Sequence, residues 1–87
     1  MDKNKVTGET YSVVRSLFTG ALYVRRDVDY VDVLGVSRVD VTYSNALSSD
    51  RYGDAVRACA RRAAAPQRYR WVDFPTSDPQ AFTSEVL

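Results

Sequence analysis

Six consecutive residues, Arg38-Val39-Asp40-Val41-Thr42-Tyr43, alternate polar and apolar side chains, and a helix would scatter them around its circumference. A period of two places Val39, Val41 and Tyr43 on one face and Arg38, Asp40 and Thr42 on the other, as a half-buried strand requires. The surrounding stretch, residues 10–44, is rich in Val, Tyr and Thr and poor in Ala, Glu and Gln, which extends the β-character. Asp29–Leu34 reads as a second strand, with Gly35 at the reversal, and Leu22–Arg25 as a third. The segment Thr10–Thr19 fits two patterns. Tyr11, Val13 and Leu17 alternate as in a strand, whereas Tyr11, Val14, Leu17 and Phe18 fit a helical face between a Thr10 cap and a Gly20 stop. Adjacent Val13-Val14 and two serines lower helix propensity, so the strand is preferred.

One helix is expected, over residues 49–65. Ser48, Ser49 or Asp50 supplies its N-cap and Pro66 forbids its continuation. Tyr52, Ala55, Val56, Cys59 and Ala63 recur at helical spacing, and the small members of this stripe let the helix lie close against a sheet. Gly53 costs about 1 kcal/mol relative to Ala, which implies a frayed start or a close backbone approach. After Pro66, Arg68–Phe74 reads as a last strand, with Tyr69 and Trp71 towards the core and Arg68 and Arg70 towards water. Asp78 with Pro79 at the first helical position predicts a short helix through Phe82 and Val86. The fold class is therefore α+β: an antiparallel sheet of about four to five strands, one main helix on one face and a final strand after it. Residues 1–9 read as a flexible N-terminus, 10–75 as one domain, and 76–87 as a tail or short helix.

A chain of 87 residues makes one domain. It reads as a complete frame from Met1, with no apolar run near the start for a signal peptide and none long enough for a membrane span. A lone cysteine, Cys59, forms no internal disulfide and reads as a small buried hydrophobe. A cytoplasmic location follows as an expectation, that of the host cell if the gene is carried by a phage.

The residue inventory also narrows the chemistry. There is no histidine, so the usual general base and the commonest metal ligand are both missing. One Cys without His makes neither a nucleophile–base pair nor a structural zinc site. The four glycines are isolated, and no phosphate-binding loop occurs. The expectation is a non-enzymatic protein without cofactor or metal.

Charge distribution carries the most information. The formal net charge is only +1, yet the charges fall in blocks. Residues 27–50 set Arg38 against five aspartates, Asp27, Asp29 and Asp32 among them. Residues 51–70 set Arg51, Arg57, Arg61, Arg62, Arg68 and Arg70 against Asp54 alone. Arg57 and Arg61 stand four apart, opposite the apolar stripe, with Arg51 and Arg62 on one flank. Arginine makes two-pronged contacts with carboxylate and phosphate, so these six are the candidate partner-binding residues. The same residues also fit a merely solvated helix face. Asp27, Asp29 and Asp32 form a secondary acidic patch whose spacing departs from a calcium loop.

In size and make-up the chain resembles, as a class and without a shared motif, the small phage proteins that block host defence, including anti-CRISPR proteins. That resemblance implies a protein–protein interaction module acting as an inhibitor, its patches of opposite sign steering encounter with another protein. A nucleic-acid-binding module is the alternative. Strands followed by a helix resemble the double-stranded-RNA-binding fold, particularly if Tyr11–Phe18 is helical, although Ser49-Asp50-Arg51-Tyr52-Gly53-Asp54 places aspartates where that family carries lysines. The further alternative is a small structural or virion component, the basic block of one copy meeting the acidic block of the next, and a homodimer is compatible with each reading.

Overall fold

A computed structural model describes residues 5–75 and 82–85. The order is β1 (Lys5–Ser16), β2 (Leu22–Val31), β3 (Ser37–Tyr43), α1 (Tyr52–Ala64), a single 3₁₀ turn (Pro66–Arg68) and β4 (Phe82–Glu85). The four strands form one sheet in the spatial order β3-β2-β1-β4, every neighbouring pair antiparallel. This is the expected α+β architecture, with one main helix and a final strand after it.

Residues 10–16 are strand, not helix: β1 pairs with β2 from Lys5↔Val31 to Arg15↔Leu22, with an irregularity between Val6 and Gly8. Its pairing therefore starts inside the segment expected to be flexible. The two strands expected at Leu22–Arg25 and Asp29–Leu34 are one ten-residue strand. Asp27 does not interrupt it, because its carboxylate is held by Arg25, two residues away on the same face, at 2.8 and 3.1 Å. The reversal after β2 is closed by Asp32, which accepts from the backbone N–H groups of Leu34 (2.8 Å) and Val36 (3.0 Å). Gly35 takes φ 82° there, a conformation that suits glycine. Val33 and Leu34 thus lie at an exposed turn tip instead of in a strand.

The sheet buries side chains on both faces. On one, Val13, Leu22 and Val24 pack against Ala55 and Cys59 of α1, with Tyr11, Leu47 and Trp71 around them. Full burial of Val13, Leu22 and Val24 contributes about 1.5–3 kcal/mol each. On the other, Val14, Tyr23 and Tyr43 cluster with Ala21, Val41 and Phe82. Phe82 stacks on Tyr43 (centroids 4.9 Å) and meets Tyr23 edge-on (5.8 Å). The helical segment expected through Phe82 is therefore strand β4, whose ring closes this second cluster; Asp78 and Pro79 lie outside the described residues.

Three expectations around α1 need correction. Its buried residues are Ala55, Ala58 and Cys59, so the apolar stripe is turned away from Tyr52 and Ala63, which are exposed. The N-cap is Arg51 and makes no side-chain cap bond. Ser49 accepts from the Arg51 N–H at 3.1 Å and donates to Asp54 at 2.7 Å, tying the loop to the first turn. Finally, Arg68–Phe74 is not a strand. It is a 3₁₀ turn and a loop whose backbone pairs with the sheet only at the Tyr43↔Val72 bridge. Pro66 directs the chain into that turn, and Trp71 anchors it by donating its indole N–H to the Pro66 carbonyl at 3.0 Å.

Candidate partner-binding site

Small residues on the inner face of α1 bring its axis close to the sheet and turn its long side chains outward. Of the six candidate arginines, three share a location. Arg57, Arg61 and Arg62, with Asp54, form the helix wall of a cleft of about 450 Å³ whose opposite wall is the loop 46–49. Arg57 and Arg61 are exposed and Arg62 is half-buried. Arg51, Arg68 and Arg70 are exposed but line no part of this cleft.

The three cleft arginines differ in what already engages them. Arg57 pairs with Asp54 three residues earlier. That pair lies in solvent, where it is weak and readily exchanged for another partner. Arg61 has no ion-pair partner among the described residues. Arg62 lies over the Tyr69 ring, its guanidinium carbon 4.5 Å from the centroid, a cation–π contact that fastens the loop after Pro66 to the helix. Arg62 is thus partly structural, while Arg57 and Arg61 remain exposed over the cleft. Ser49 and Arg57, both donating to Asp54, hold its carboxyl below the usual carboxylate range, so it stays charged and partly offsets the arginines at this end of the cleft.

The acidic residues do not form a second site of comparable definition. Asp27 is bound to Arg25, and Asp32 closes the β2–β3 turn while pairing with Arg38 at 2.6 Å. Asp29 is exposed and shares with Asp27 the sheet face away from α1. Asp27 and Asp29 therefore lie on the opposite side of the sheet from the arginine cleft, whereas Asp32 sits in the β2–β3 turn. No group of three or more His, Cys, Asp or Glu suited to a metal occurs among the described residues.

One polar constellation escaped the sequence reading. Arg26 of β2 lies on the helix side of the sheet, its guanidinium carbon 5.5 Å from the Trp71 ring centroid. Its Nη2 reaches Glu9 at 3.3 Å, and Glu9 also accepts from the Tyr11 hydroxyl at 2.5 Å. Tyr11 and Trp71 meet at 5.8 Å. A signal was present in the row Leu22, Val24, Arg26, Val28 and Tyr30, where one cation interrupts an otherwise apolar strand face.

The described chain contains no helix long and apolar enough to cross a membrane. Comparison of the chain with protein-family models, curated proteins and solved structures finds no match.

Proposed function

We propose that this protein is a non-enzymatic binding module that takes a carboxylate-bearing segment of another protein into the cleft between α1 and the loop 46–49, and that it inhibits its partner by occupying that segment. The observation that carries the reading is the presentation of Arg57 and Arg61 on one helix face over a formed cleft. Arg61 has no ion-pair partner among the described residues, and Arg57 only a solvent-exposed one. Like charges four apart on a helix oppose its stability, which a partner's carboxylates would relieve through two-pronged hydrogen bonds. The hydroxyl of Ser48 opposite the arginines supplies a further polar contact.

A phosphate backbone would use the same arginines, but Asp54 within the cleft repels it, and the near-neutral net charge gives little of the long-range attraction on which such binding depends. The strand conformation of residues 10–16 also weakens the likeness to the double-stranded-RNA-binding fold, which a helix there would have strengthened.

The test is affinity capture from the native cell with the wild-type chain and with the Arg57→Glu/Arg61→Glu double variant, alongside oligonucleotide binding at two salt concentrations. The expected result is a stoichiometric protein partner that the double variant loses while its thermal transition stays in place. Salt-sensitive oligonucleotide binding without a protein partner would replace this reading with the nucleic-acid one.

A further inference from the structure

We propose that the outer edge of β3 is a self-association surface, on which a second copy of this chain adds its own β3 antiparallel about a two-fold axis at Val39. β3 is the terminal strand of the sheet, and its backbone directions are fixed by the bonds that it makes. Tyr43 exchanges both backbone hydrogen bonds with Val72 on the outer side (2.7 and 2.9 Å), whereas the Ser44 N–H points inward to Val24 at 2.9 Å. Strand alternation then directs the N–H and C=O groups of Ser37, Val39 and Val41 outward. Among the described residues nothing pairs with them. An unpaired row of this kind is a template for another strand, and Val72 stops it at Tyr43.

Charge selects the register. With the axis at Val39, the two Val39 residues form a hydrogen-bonded pair, flanked on either side by Ser37 facing Val41 of the other copy. Between them fall the non-hydrogen-bonded pairs, in which Arg38 of each copy faces Asp40 of the other with Cα atoms about 4.5 Å apart. Opposite charges directly across an antiparallel pair are favourable and like charges unfavourable. Arg38 is half exposed beyond its contact with Asp32, and Asp40 is exposed without an ion-pair partner among the described residues. Moving the register by two residues in either direction destroys both pairs. Val39, 51% exposed in a single copy, is covered by its own symmetry mate on the face away from α1. Because the chain turns away from the edge at Gly35 and Val36, the second copy ends its pairing before it reaches Val72.

Sedimentation over a wide concentration range, with amide exchange at each concentration, tests this. The wild-type chain is expected to dimerise, with the amides of Ser37, Val39 and Val41 gaining protection as concentration rises while those of Arg38 and Asp40 stay protected throughout. Val39→Pro removes only an outward N–H, which an edge strand tolerates, and should leave a folded monomer. Asp40→Arg and Arg38→Asp should each weaken self-association by roughly tenfold or more. An equimolar mixture of these two variants should dimerise again, because every cross-copy pair is then of opposite charge. A wild-type chain monomeric at all concentrations, a dimer that survives in folded Val39→Pro, or a charge-variant mixture no tighter than its components overturns the proposal.

Discussion

Trp71 hands its indole N–H to the carbonyl of Pro66, 3.0 Å away, so the residue that ends the helix and the largest ring of the following loop are held as one unit. The ring is half-buried: Tyr11 meets one part of it and the Arg26 guanidinium lies over another. Trp71→Ala should therefore cost about 2–4 kcal/mol, from lost packing and the loss of one of two hydrogen bonds to the Pro66 carbonyl, which keeps the Tyr69 N–H. Trp71→Phe should recover most of the packing and leave a deficit of about 1 kcal/mol for the hydrogen bond. Urea titrations of the two variants check the ordering, and equal losses would show that the hydrogen bond contributes little.

Phe82 closes the cluster on the opposite sheet face. It is the only described aromatic of β4, and it touches Tyr43 and Tyr23, residues of strands that β4 does not pair with. Phe82→Ala should destabilise by about 2–3 kcal/mol and reduce the near-ultraviolet circular dichroism of the tyrosines, while the far-ultraviolet spectrum keeps its shape. An unchanged near-ultraviolet signal would mean that the tyrosines are held without it.

The strand alternation at Val39, Val41 and Tyr43 was legible because each residue declares its face locally. So was the helix, bounded by Pro66 and a row of small side chains. What could not be read was anything decided by a distant partner. Phe82 looks helical beside Pro79 because nothing nearby announces Tyr43 and Tyr23. Arg68–Phe74 alternates like a strand, but its backbone pairs with the sheet edge only at the Tyr43↔Val72 bridge. The same holds for the arginines: sequence grouped six, and the fold gathers Arg57, Arg61 and Arg62 because only these project from α1 towards the loop 46–49.

Gly53 offers a gain in stability. The open space around an added Cβ and a backbone outside the positive-φ region rule out the close approach that its position in a helix suggested. Gly53→Ala should therefore stabilise the fold by about 0.5–1 kcal/mol, through helix propensity and a less flexible unfolded chain. A higher midpoint in thermal unfolding checks it; a lower one would show that the first turn needs the glycine.

The pH dependence of stability follows from three carboxylates and one thiol. Glu9 accepts from Tyr11 and Arg26, Asp32 from Arg38 and the Val36 and Leu34 backbone, and Asp54 from Ser49 and Arg57, and each carboxyl is held below its usual range. A depressed folded pKa means that the unfolded chain binds protons first as acid is added, so their stabilisation is complete above the ordinary carboxylate range, about 3.9–4.3, and disappears as pH falls through the lower folded values. Burial pushes the Cys59 thiol the opposite way, so stability should decline as pH rises past the ordinary thiol value of about 8.5. With no histidine to titrate between these limits, a flat plateau from about pH 5 to 8 is expected in urea midpoints. Asp32→Asn keeps an acceptor for the turn while removing the charge, and should make the acid limb shallower. Cys59→Ala should do the same to the alkaline limb at a cost in packing. An acid limb of unchanged slope in Asp32→Asn would show that the Arg38 contact does not set that carboxyl's affinity for protons.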